Sequence, residues 1–156
     1  MENALSRIRR IADFQLGKGV GVRLFPENVN IIYSKATCRI RYVYFNGERL
    51  ATLRPTDGLF SLSITAARLV AENPDFARCF VTVQNNVSEF IADGGDVFAA
   101  HVVNADEEIR AKDEVIVVNE DKRVLAVGRA LLSSMEMKAF KTGVAVKVRH
   151  GCAKES

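Results

Sequence analysis

The chain has 156 residues, enough for one ordinary domain or two small ones. Hydrophobic residues make up 48% and charged residues 26%, a globular balance that excludes intrinsic disorder. The net charge of +3 permits a polyanionic partner without demanding one.

The first ten residues lack the apolar run of a signal peptide, and no stretch reaches the ~20 apolar residues that span a bilayer. A cytoplasmic protein without a membrane partner is expected. Leu5, Ile8, Ile11 and Ala12 recur at helical spacing and predict an amphipathic helix over residues 3–16. Arg7, Arg9 and Arg10 lie off that stripe, to face water or a ligand. Gly17-Lys18-Gly19-Val20-Gly21 follows. A P-loop needs its lysine followed by Ser or Thr, after a strand; here Gly19 follows Lys18 and a helix precedes. A flexible helix-to-strand connection is the expected role, with amides freed by glycine as a weaker anion-holding option.

Residues 39–45 are β-branched and aromatic, Asn46-Gly47 is a type I′ turn signal, and residues 48–54 return. Counting outward from the turn pairs Phe45 with Glu48, Tyr44 with Arg49, Val43 with Leu50, Arg41 with Thr52 and Arg39 with Arg54. The face with Ile40, Tyr42, Tyr44, Ala51 and Leu53 then reads as core. The other face gathers Arg39, Arg41 and Arg54 as a basic patch, where either an anion sits or water screens the repulsion. Pro55-Thr56-Asp57-Gly58 is a turn, residues 59–63 a short strand and residues 65–71 a helix. Glu72-Asn73-Pro74-Asp75 breaks the pattern and marks a domain boundary.

Beyond the boundary the signals are mostly β. Strands are expected at residues 79–83, 97–103, 114–118, 124–131 and 144–149. Short helices are expected at residues 87–92, ended by Gly94, and after a capping box formed by Ser133 and Glu136. This spacing suggests a small closed or half-closed barrel. Residues 1–77 carry 11 Lys/Arg against 7 Asp/Glu, and residues 78–156 carry 11 against 12. Polyanion affinity in the second half must therefore come from local placement of charge, within a diffuse positive field from the first.

Little here can be assembled into chemistry. Cys38, Cys79 and Cys152 form no CxxC pair, which excludes a zinc ribbon and argues against a disulfide framework. His101 lies in an apolar strand pattern, and His150 follows Arg149 near the end of the last strand. Neither has a nucleophile elbow or an orienting acid beside it. Asp106-Glu107-Glu108 and Glu120-Asp121 read as solvated loops. Gly94-Gly95 is more informative: a helix cap explains one glycine, and close approach of a ligand would explain the second. In the last strand Val144, Val146 and Val148 face one way and Ala145, Lys147 and Arg149 the other. That charged side is either merely solvated or a contact surface.

Asp93-Gly94-Gly95-Asp96-Val97-Phe98-Ala99, Lys112-Asp113-Glu114-Val115, Leu125-Ala126-Val127-Gly128-Arg129-Ala130 and Gly143-Val144-Ala145-Val146-Lys147-Val148-Arg149-His150-Gly151 follow one another in this order. Together they resemble the PUA domain, a small RNA-binding module named after pseudouridine synthases and archaeosine transglycosylases. The resemblance implies a mixed pseudobarrel with short helices, holding RNA along its first helix, the glycine loop, the following strand and the last strand. Carried over, the implied RNA-binding residues are Gly94, Gly95, Val97, Phe98, Arg129, Lys147, Arg149 and His150. Phe14-Gln15-Leu16-Gly17-Lys18-Gly19, Arg39-Ile40-Arg41 and Ala51-Thr52-Leu53-Arg54-Pro55-Thr56-Asp57-Gly58-Leu59-Phe60 are similar to the segment preceding that module in archaeal tRNA-guanine transglycosylase. That family's catalytic barrel, zinc-binding cysteines and catalytic aspartates have no counterpart here.

The expectation is an α+β chain with a small α+β domain over residues 1–74 and a PUA-type pseudobarrel over 77–152. It would be a non-catalytic RNA-binding protein, with tRNA or another structured RNA as partner and no metal, cofactor, membrane or DNA. The alternative is a protein-interaction subunit that docks on a separately encoded tRNA-modification enzyme or ribosome-assembly factor. The face with Arg39, Arg41 and Arg54 and the first helix would then be docking surfaces. An enzyme acting alone is the least favoured reading.

Overall fold

Asn3 opens the first helix, α1 (Ala4–Leu16), by accepting a hydrogen bond from the Ser6 amide at 2.7 Å. Its apolar stripe buries Ile8, Ala12 and Leu16. The computed structural model describes residues 3–154, and the chain divides between Ala77 and Arg78 into two compact units. Among the described residues no helix is long and apolar enough to cross a membrane.

The glycine run does not lead into a strand as expected. A second short helix, α2 (Val20–Leu24), follows Gly19, which takes φ +86°. Gly21 is required because a Cβ there would fall 2.2 Å from the Arg9 carbonyl oxygen. The Asp13 carboxylate accepts the Gly21 amide at 2.7 Å, so the anion held in this turn is the chain's own. Arg9 has an internal role: its Nε donates to the Phe25 carbonyl at 2.9 Å and ties the two helices together.

Strands β1 (Asn30–Tyr33), β2 (Ile40–Phe45), β3 (Glu48–Leu53) and β4 (Phe60–Leu62) form an antiparallel sheet in chain order. Asn46 and Gly47 take φ +51° and +81°, as a type I′ turn requires. The Gln15 side chain brackets Phe60, donating to its carbonyl at 2.8 Å and accepting from its amide at 2.7 Å. Helix α3 (Ile64–Ala71) is capped by Ser63. Leu16, Leu24, Phe25, Val43, Leu50 and Phe60 are fully buried, with the Phe25 and Phe60 rings 5.3 Å apart.

The hairpin register departs from the simple count. Phe45 faces Glu48 and Tyr44 faces Arg49, but Val43 faces Ala51 and Tyr42 faces Thr52. Leu50 is therefore a bulge residue. A second irregularity pairs Ile32 with Tyr42 and Tyr33 with Ile40, leaving Arg41 out of register. The two bulges re-aim the faces. Ile40, Val43, Leu50 and Ala51 are buried, whereas Tyr42 and Tyr44 are only half-buried. The tyrosines belong to the outer face, not to the core.

The second unit contains β5 (Phe80–Val83), α4 (Ser88–Ala92), β6 (Val97–Phe98), β7 (Val102–Ala105), β8 (Glu114–Asn119), β9 (Val124–Ala130), α5 (Ser134–Ala139) and β10 (Val144–Gly151). The strand order is β6-β10-β9-β8-β5-β7, a nearly closed barrel with short helices. Every pairing is antiparallel except β5 with β8. The single strand expected over residues 97–103 is split by a 3₁₀ turn at Ala99–His101. The break is topological, because β6 lies beside β10 at one edge of the sheet and β7 beside β5 at the other. The capping box forms: Ser133 Oγ accepts the Glu136 amide, and Glu136 accepts the Ser133 amide at 2.9 Å. Val81, Val117, Ile91, Val97, Val146 and Met137 lie at the centre of the barrel core.

In the acidic loops Glu107, Glu108, Glu120 and Asp121 are exposed as expected, and Asp106 departs from them. Asp106 is half-buried and accepts the Phe80 amide at 2.9 Å. Glu108 pairs with Arg78 at 3.4 Å, and Glu120 accepts the Asn85 amide at 3.2 Å.

Candidate nucleic-acid interface

The glycine pair after α4 closes that helix. The Gly94 amide bonds the Ile91 carbonyl and the Gly95 amide the Phe90 carbonyl, both at 2.9 Å, which is the hydrogen-bond pattern of a Schellman motif. Gly94 has φ +106° and open space where a side chain would stand. A Cβ on Gly95 would lie 2.3 Å from the Phe90 ring. Phe90 is 54% exposed and its ring can swing aside, so this contact alone does not demand the second glycine.

Val97 is fully buried and offers a ligand only its backbone. Phe98 alternates with it and is 41% exposed. The His101 ring meets Phe98 edge-on at 6.2 Å, from the 3₁₀ turn rather than from a strand.

On β10, Lys147 and Arg149 are exposed, while Val146 and Val148 are buried. Ala145 is also buried, against expectation. Both cations carry internal carboxylate partners. Lys147 lies 3.3 Å from Asp96, with side chains 64% and 25% exposed, and Asp96 also accepts the Val148 amide at 3.0 Å. Arg149 sits at a register shift, since Val148 faces Gly128 and His150 faces Val127. Its guanidinium reaches past β9 to Glu114 on β8 as a bidentate pair, with one contact of 2.9 Å. The Glu114 side chain is fully buried. The two pairs differ in kind. The exposed Lys147 pair can be exchanged for a phosphate at small cost, whereas the buried Glu114 charge needs Arg149.

Arg129 stands directly opposite Lys147 in the β9–β10 pairing, so the two share a face. It is exposed and makes no side-chain hydrogen bond or ion pair to another described residue. His150 is exposed at the end of β10. The outward surface of β6, β10 and β9 therefore presents Phe98, Lys147 and Arg129 beside the open Gly94 turn.

In the first unit, Arg54 is held by Asp57 at 2.9 Å, so part of the expected repulsion is relieved by an internal anion. Arg41 lies over the Tyr42 ring, 5.6 Å from its centroid. Arg39 is exposed. The roles of Tyr42, Tyr44, Asp96 and Glu114 were missed. For Glu114 there was a weak signal, the last of a run of charges and the one that directly opens the apolar residues 115–118. Among the described residues no group of three His, Cys, Asp or Glu side chains could hold a metal ion.

Comparison with known proteins gives the same two-part division. Residues 6–76 match the patch-forming domain C2 of tRNA-guanine transglycosylase, and residues 80–152 match the PUA domain. A tRNA-guanine(15) transglycosylase from Methanobrevibacter smithii is 39% identical over 96% of this chain. One from Pyrococcus furiosus is 43% identical over 96%. The chain spans 23% and 25% of those relatives' lengths. Among solved structures, a hypothetical protein from Pyrococcus horikoshii OT3 superimposes with TM-score 0.75 at 26% identity, covering 97% of this chain and 91% of that one. A conserved PUA domain protein from Thermoplasma acidophilum shares the fold, with TM-score 0.69 at 24% identity over 98% and 93% of the two chains.

Proposed function

The chain carries a patch-forming C2 domain followed by a PUA domain, and on that premise we propose that it is a non-catalytic RNA-binding protein acting in tRNA modification. Its partner is tRNA or another structured RNA. The transglycosylase activity in the relatives' names stays with those proteins, and only the holding of RNA is carried over.

The observation that supports this best is the strip formed by Arg129 and Lys147, directly opposed on neighbouring strands and flanked by exposed Phe98. Two cations on one face suit adjacent phosphates, and an exposed ring suits an unpaired base. Gly94 leaves room for a backbone to approach. Gly95, Val97 and Arg149 serve the fold in this reading, and His150 stands at the margin of the strip. A second reading has the chain docking on a separate modification enzyme, supported by exposed Met135 and Phe140 on and after α5.

The test is the affinity of the full chain for total tRNA at low salt. Arg129→Glu combined with Lys147→Glu is expected to weaken binding by about tenfold or more. Because glutamates at positions 147 and 129 would face Asp96 and Glu114, Arg129→Gln with Lys147→Gln is made alongside. It loses only the exposed Lys147–Asp96 pair, costs under about 1 kcal/mol, and should stay folded and also bind more weakly. A folded variant that binds tRNA as the parent does removes this assignment. A protein partner that persists in pull-downs after nuclease treatment favours the docking reading.

A further inference from the structure

The two bulges in the first unit create a surface that the hairpin pattern conceals. Val43, Ala51 and Leu62 form a buried inner row, with α1 packed against β4 and α3 against β3. The outer row runs Ile32–Tyr42–Thr52–Ser61 across all four strands, with Asn30–Tyr44–Arg49 as the row beside it. The Tyr42 and Tyr44 rings meet edge-on, with centroids 6.3 Å apart. Arg41, displaced by its bulge, lies over Tyr42, and Arg49 is directly opposite Tyr44. Of the nearby carboxylates, Asp57 is bound to Arg54 and Glu48 accepts the Thr65 hydroxyl at 2.9 Å.

We propose that this outer sheet face, centred on Tyr42 and Tyr44, is a second RNA-contact surface that stacks unpaired nucleotides. The occupant follows from the chemistry. A face of two tyrosines, arginines and small polar side chains, with Ile32 as its apolar member, is too polar for a hydrophobic protein interface. It offers π-faces to bases and guanidinium groups to the intervening phosphates, as stacking platforms for single strands do. The inference rests on the RNA reading above and adds a surface of different character. The Arg129–Lys147 strip works through charge, whereas this one works through stacking.

The composition supplies a direct probe. The chain has no tryptophan and three tyrosines, and Tyr33, Tyr42 and Tyr44 all lie on β1 and β2. Intrinsic tyrosine emission therefore reports on this sheet alone. The experiment titrates the full chain with a short oligouridylate carrying a fluorescein label. It follows both label anisotropy and tyrosine emission, with free tyrosine amide as the inner-filter control. The expected result is saturable tyrosine quenching that tracks anisotropy. Tyr42→Ala with Tyr44→Ala should lose about tenfold in affinity for each base that stacked. Tyr42→Phe with Tyr44→Phe should retain it.

Anisotropy showing bound RNA with unquenched tyrosines would overturn this surface and leave the Arg129–Lys147 strip standing. A folded alanine variant that binds like the parent would do the same. If the alanine variant does not fold, photocrosslinking of 4-thiouridine RNA to the parent decides. Adducts on Tyr42 or Tyr44 support the surface, and adducts confined to residues 78–154 overturn it. A parent that binds no RNA at all sinks both readings together.

Discussion

Single residues that look alike in the sequence do different work. Lys147 and Arg149 are two apart on one strand, but their partners Asp96 and Glu114 lie 51 and 35 residues away in the chain. No local pattern could reveal those pairings. They predict opposite outcomes on truncation. Arg149→Ala removes the bidentate cationic partner of a buried carboxylate and should cost about 3–5 kcal/mol, whereas Lys147→Ala should cost under about 1 kcal/mol, both read from urea midpoints. Equal midpoints for the two variants would erase the distinction. Asp106 gives a pH-dependent case. Burial holds its carboxyl above the usual carboxylate range, with the Phe80 amide hydrogen bond pulling the other way. The folded chain therefore holds that proton more tightly than the unfolded chain does. The stability linked to it is present below the ordinary carboxylate range and is lost as pH rises through the folded value. Asp106→Asn has no proton to lose and keeps an acceptor for the amide. Its stability relative to the parent should rise as pH climbs from the ordinary carboxylate range through the raised folded value, and a pH-independent difference would contradict the burial argument.

Elements were legible where a local code specifies them and illegible where register decides. The Asn46-Gly47 turn, the stripe of α1 and the Ser133–Glu136 capping box each rest on residues within a few positions of one another, and each formed. Ser133→Ala should therefore cost about 1 kcal/mol by thermal unfolding. An unchanged melting temperature would mean that α5 is held by packing alone. The bulges at Leu50 and Arg41 carry no compositional mark, because a bulge is one residue left over when two strands settle their pairing. Missing them left Ile40 and Ala51 correctly in the core but hid Tyr42 and Tyr44 there too, in place of Val43 and Leu50. The short helix α2 was hidden for a related reason: Gly21 answers to the packing of Arg9 and the carboxylate of Asp13, which the local spacing does not show.

At the scale of the whole molecule, the α+β class and the barrel of the second unit could be read from strand spacing. The outward strip could be read only in part, since the chain's own carboxylates had already claimed its two most prominent cations. Residues 1–77 carry a net charge of +4 and residues 78–156 a net charge of −1. RNA affinity should therefore be strongly salt-dependent even though the barrel is nearly neutral. With about four phosphates neutralised, log affinity against log salt should fall with a slope of roughly −3. A slope near zero for total tRNA would mean that charge contributes little to the complex.

The parallel pairing of β5 with β8 has a kinetic corollary. β5 is the first strand of its unit to leave the ribosome, yet both of its neighbours, β7 and β8, are made later. The meander of β8 and β9 can zip locally, whereas seating β5 requires closing a loop of some thirty residues. Threading of that strand is therefore the natural late step. Truncating Val81 should accelerate unfolding far more than it slows refolding in stopped-flow chevrons.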